Sequence, residues 1–131
     1  MNKKQVNEWI PSAKTAVEEF GIAKNGKVDN RFRGYISSFG AAVVLGSLKS
    51  AAAFLADDGG SEIKRSLLIC AMYKIIKGET AESAKVFDYI CNHDNRQTKE
   101  DFINASIALK LSLNYFELVK NKKDTGKKGE A

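Results

Sequence analysis

The stretch from Arg31 to Ser47, Arg-Phe-Arg-Gly-Tyr-Ile-Ser-Ser-Phe-Gly-Ala-Ala-Val-Val-Leu-Gly-Ser, allows little choice of local structure. Phe32, Ile36, Phe39 and Val43 recur at intervals of four and three, so a helix places them on one stripe and a strand scatters them over both faces. Opposite that stripe lie only small residues, Gly34, Ser37, Ser38 and Ala41. Glycine inside a helix costs about 1 kcal/mol against alanine, so Gly34 and Gly40 call for a use of the missing side chains. Two uses stand open: close helix packing within one domain, or a docking surface for RNA or a neighbouring subunit. Lys24, Lys27, Arg31 and Arg33 crowd the start of this helix, with Asp29 the opposing charge. A helix N-terminus already favours anions through its unpaired N–H groups and its dipole.

The same spacing recurs along the chain. Val6, Ile10, Ala13, Val17 and Phe20 predict a first helix ending near Gly21, with Pro11 either kinking it or opening its regular part and Trp9 as a hydrophobic anchor. Lys24 to Asp29 reads as a polar turn around Asn25-Gly26, with Asp29 or Asn30 capping the central helix and only weak support for a hairpin. After a break at Gly46-Ser47, Leu48, Ala51, Ala52 and Leu55 resume helical spacing as far as the acidic, glycine-rich connection Asp57-Asp58-Gly59-Gly60. A nearly central helix is expected from Ser61 to Gly78, with Ser66, Cys70, Tyr73 and Lys77 on its outer strip. Thr80 is read as the cap of a shorter helix with Ala84, Phe87, Ile90 and Cys91 facing inwards, ending by His93-Asp94-Asn95. Thr98, Glu100 and Asp101 read as the opening of a last helix that carries two apolar stripes. Phe102, Leu109, Leu113 and Phe116 form one, and Ile103, Ile107, Leu111 and Leu118 the other, so this helix is either central or turns one side to a partner. No alternating strand pattern stands out. The expected fold is all-α: a single-domain bundle of five to six helices over residues 1–119, with 120–131 a basic, disordered tail.

Charge and composition bound the function. A length of 131 residues suffices for one core without staples, and 44% hydrophobic with 28% charged residues is ordinary for a folded domain. Of the net charge of +5, residues 120–131 carry +3, so local clusters carry more meaning than the total. The first twenty residues include Glu8, Pro11, Glu18 and Glu19 and lack a signal-like apolar block, and no run reaches transmembrane length. A cytoplasmic protein without membrane contact is expected. Cys70 and Cys91, without CxxC spacing and with a single His93, do not make a metal set, and no cofactor is expected.

The search for catalysis finds little. His93 has Asp94 beside it, which points to a different side of any helix, and the nearest preceding arginine is Arg65. GxxxxGK and HExxH are absent. A non-catalytic chain is expected. For nucleic acid, Lys24, Lys27, Arg31 and Arg33, with Lys49 beyond the central helix, offer sequence-independent attraction for phosphates. The aromatics do not form a stacking platform: Phe32 and Phe39 follow the core stripe, and Tyr35 alone extends sideways.

Phe32-Arg33-Gly34-Tyr35-Ile36-Ser37-Ser38-Phe39-Gly40-Ala41-Ala42-Val43, followed by Leu48 and Ala51-Ala52-Ala53-Phe54, resembles the small helical subunit of the type III-B CRISPR RNA-targeting effector, the Cmr complex. The chain departs from that family at Val44, Leu45 and Gly46-Ser47-Leu48, where a basic or polar residue followed by Ser-Gly-Leu is common. The resemblance implies a non-catalytic subunit that stacks with copies of itself beside the crRNA-bearing backbone and helps to hold target RNA, with cleavage left to other subunits. Arg31, Arg33 and Lys49, aided by Lys24 and Lys27, are then expected at RNA phosphates, and Gly34, Ser37, Ser38 and Ala41 at subunit contacts. A protein-only assembly subunit is the alternative.

Overall fold

The computed structural model describes residues 1–60 and 62–120. The described residues form six α-helices, a 3₁₀ turn and three very short strands. Helix α1 (Lys3–Glu19) runs through Pro11, whose ring is exposed, and Asn2 caps it by accepting from the Gln5 N–H. It buries Val6, Ala13 and Val17, while Trp9, Ile10 and Phe20 lie against the core edge. The expected first helix therefore starts well before Pro11.

Strands β1 (Ala23–Lys24) and β2 (Lys27–Asp29) form an antiparallel hairpin, stronger than the turn that the sequence suggested. Asn25 and Gly26 both adopt positive φ, 55° and 76°, the conformation that suits a two-residue hairpin loop. Strand β3 (Glu117–Val119) adds parallel to β2, giving the order β1-β2-β3, and the Glu117 N–H donates to the Gly26 carbonyl at 2.9 Å. Two- and three-residue strands are too short to leave a period-two signature.

Helix α2 (Asn30–Leu45) buries the Phe32, Ile36, Phe39 and Val43 stripe as its spacing requires. Ser47 caps α3 (Leu48–Ala56), which buries Leu48, Ala51, Ala52 and Leu55. Helix α4 (Ser66–Lys77) starts five residues later than the sequence suggested and ends at left-handed Gly78. The delay has a cause: Asp58 accepts from both the backbone N–H and the hydroxyl of Ser66, at 2.9 Å each, while the Arg65 Nε donates to the Phe54 carbonyl. These bonds hold residues 62–65 in a strap outside the helix. Cys70, expected on the outer strip of α4, is instead buried.

Helix α5 (Ser83–Asn92) follows Glu82 rather than a Thr80 cap, and buries Val86 and Ile90 while Ala84 is exposed and Phe87 and Cys91 are half-buried. Helix α6 (Arg96–Ser112) is capped by Asn95, which accepts from the Thr98 N–H; Thr98 itself is buried. Contacts with α1, α2 and α4 make α6 the central element, which accounts for its two apolar stripes. Phe102, Leu109 and Leu113 are fully buried, whereas Ile103 and Ile107 are partly covered and Leu111 is exposed. Asn104, 1% exposed, donates to the Gln5 side chain and accepts from the Asn2 N–H, so its burial leaves no polar atom unpaired. No helix among the described residues is long and apolar enough to cross a membrane. Of the basic C-terminal segment, residues 121–131 lie outside the described residues.

Candidate nucleic-acid interface

The α2 surface has two ends and one open face. At the N-terminal end, Asp29 leaves the hairpin in extended conformation and caps the helix, accepting from the Arg31 N–H at 2.9 Å. The same carboxylate receives the Arg31 guanidinium through Nε (3.1 Å) and Nη2 (2.8 Å). Arg31 Nη1 lies 3.6 Å from Glu62 on the strap. Arg31 thus joins the hairpin to the strap, and its side chain is only 28% exposed. A forked, charge-assisted pair of this kind holds its geometry far better than a mobile surface lysine pair.

Arg33, two residues on, is exposed and makes no ion pair among the described residues. Gly34, Ser37, Ser38 and Ala41 continue its face and are all exposed. A Cβ added at Gly34 or Gly40 would meet no atom of the described residues within 4 Å, so neither glycine is required by a close contact among them. Among the described residues, nothing packs closely on this strip at Gly34 or Gly40. The same face ends in Val44, 68% exposed, and Leu45, 87% exposed.

Lys49 sits past the other end of α2, on the first turn of α3, with its Nζ 4.0 Å from Asp94 and both partners about half exposed. Such a pair is weak and easily exchanged for another anion. Helix α2 has 16 residues, so its ends lie about 24 Å apart at ~1.5 Å per residue, and the five expected phosphate ligands do not form one cluster. Lys24 and Lys27 stand at the N-terminal end, exposed and facing each other across the hairpin. Beside Lys49, a cavity of about 370 Å³ brings Ser47 of the α3 start together with Asn95, Arg96 and Lys99 of the α6 start. Arg96 and Lys99 were not singled out from the sequence. Placing the helix start at Thr98 rather than Asn95 concealed that both lie in its first turn.

Tyr35 does not reach out for a base: its ring meets Phe54 edge-on at 6.0 Å, and the Arg65 guanidinium lies 4.4 Å from the Phe54 ring centre. His93 ends α5, with Nδ1 2.9 Å from the Tyr89 carbonyl and its ring stacked on Tyr89 at 4.2 Å. The one hydrogen-bond partner of its ring among the described residues is thus a helix carbonyl and not a carboxylate. Cys70 and Cys91 are free thiols, and no group of three or more His, Cys, Asp or Glu among the described residues is placed to hold a metal. Compared with family models, with curated proteins and with solved structures, the chain finds no match.

Proposed function

We propose that this chain is a non-catalytic small subunit of a type III-B CRISPR ribonucleoprotein effector, a partner of the crRNA-bearing backbone that stacks with copies of itself and helps to hold target RNA. The observation that carries the reading is the open face of α2: small residues along its length, Arg33 at one end and Lys49 past the other. A backbone can approach such a face closely, and separated cations suit an extended polyanion better than a compact ligand. The resemblance over residues 32–54 supplies the assembly, and the residue types supply the surface. Arg31, committed to Asp29 and Glu62, takes a lesser part in phosphate contact than Arg33.

The test is a salt titration of target-RNA binding by the reconstituted assembly, wild type against Arg33→Ala/Lys49→Ala. The double variant is expected to assemble normally, to bind more weakly, and to lose about 0.7 from the log–log salt slope per phosphate contact removed. Unchanged affinity and slope would reject the assignment. A protein-only assembly role is the second reading, favoured by the exposure of Val44 and Leu45 on the same face. It predicts that Leu45→Lys disrupts assembly while Arg33→Ala/Lys49→Ala leaves RNA retention untouched.

A further inference from the structure

Between the hairpin and the strap lies a half-open cavity of about 360 Å³. Its floor is apolar: Ile22 and Phe32 from the core, Ile63 and Leu67 from the strap and the start of α4. Three lysines line it as well, Lys24 and Lys27 from the hairpin and Lys64 from the opposite wall. The volume is near the lower end of small-molecule sites, which run from roughly 300 to 1,000 Å³, so it suits one compact group.

The charges are arranged unevenly. Lys24 and Lys27 are directly opposed across the hairpin, and like charges in that relation destabilise a strand pair. Neither they nor Lys64 has a carboxylate within ion-pair distance among the described residues. The acids on the cavity wall, Asp29 and Glu62, are both engaged by Arg31. Glu117 lies beside Lys27 in the sheet, and among the described residues it makes no ion pair with Lys27 within 4.0 Å. Arg31 therefore acts as a positioning residue: it ties the two walls together and keeps their carboxylates occupied.

We infer that this cavity is a subsite for one unpaired nucleotide of a single-stranded RNA, its base against Ile63 and Leu67 over the buried Ile22 and Phe32, and its phosphate among Lys24, Lys27 and Lys64. The inference rests on the RNA-holding role proposed above and specifies a chemistry that the α2 face does not have. A free inorganic anion would use the lysines and leave the floor wet. An uncharged apolar ligand would use the floor and leave the lysines unanswered. A nucleotide satisfies both halves, and lysine suits a phosphate as a compact point charge.

The probe is adenosine monophosphate, titrated into the full chain against inorganic phosphate and adenosine, with backbone amide shifts as the readout. The expected result is saturable movement of the Gly21, Lys64 and Leu67 amides, with adenosine monophosphate binding roughly tenfold more tightly than phosphate. Lys64→Ala should weaken the nucleotide, and Ile63→Trp, which fills the floor, should bring its affinity down to that of phosphate. Equal affinity for phosphate and nucleotide, or shifts that fall elsewhere, would overturn the inference, and so would a Lys64→Ala chain that binds as wild type does. The RNA reading fails separately. If RNA retention depends on Arg33 and Lys49 but the nucleotide leaves these amides unmoved, the subsite falls and the α2 face stands. If the nucleotide seats here while retention ignores Arg33 and Lys49, the subsite stands and the α2 assignment falls.

Discussion

Burial, with the Asp58 and Glu82 carboxylates adding to it, pushes the Cys70 thiol up from 9.0 to about 11. The folded chain therefore keeps this proton where the unfolded chain has lost it. The resulting stability is complete below pH 9 and is lost as pH climbs towards about 11. Tyr73 moves in the same direction, chiefly through desolvation and then through Glu79, so the decline is shared. Urea midpoints followed across that interval should fall less steeply for Cys70→Ala than for wild type, whatever the substitution does to stability at neutral pH. Arg31 marks the limit of residue-by-residue reading. Its charge and its place at a helix start were legible in the sequence and suggested phosphate contact. Its real partners were not, because the fork onto Asp29 depends on the extended backbone of a cap residue, and Glu62 arrives on a strap from across the fold.

At the level of the element, the helices whose apolar spacing is strict formed where expected, and the starts of α4 and α6 moved to where a carboxylate or amide side chain accepts from the first turn. Asp58 delays α4, and Asn95 advances α6 ahead of the Thr98 that looked like its start. The hairpin escaped because its strands are shorter than the pattern that betrays a strand, and its third strand comes from the far end of the described chain. Helix α2 makes the sharpest prediction. Gly34 lies in helical backbone with open space where a Cβ would go, so Gly34→Ala should stabilise the isolated chain by up to about 1 kcal/mol, read as a higher urea midpoint with unchanged slope. If the face receives a neighbouring backbone, the same variant should assemble less well than wild type. A gain in stability together with unimpaired assembly would show that the missing side chain serves no partner.

Across the whole molecule, the cationic positions divide between the two ends of α2 rather than meeting in one patch. The helix from Arg33 to Leu45 alone spans about 18 Å at ~1.5 Å per residue, and Lys49 lies past its end, so the losses in RNA affinity from Arg33→Ala and Lys49→Ala should add to within about 0.5 kcal/mol. A marked departure from additivity in binding measurements would mean that the two ends are coupled through the bound strand or the assembly. The parallel pairing of β2 with β3 has a consequence in time. A ribosome makes Lys27–Asp29 long before Glu117–Val119, and at ~5–20 residues per second the hairpin waits on the order of ten seconds for its neighbour. Helix α1 likewise waits for α6, against which it chiefly packs. The nascent chain thus carries an unpaired strand edge and an incompletely covered first helix until residues 96–119 have been made, and the hairpin gains its third strand only after the six described helices.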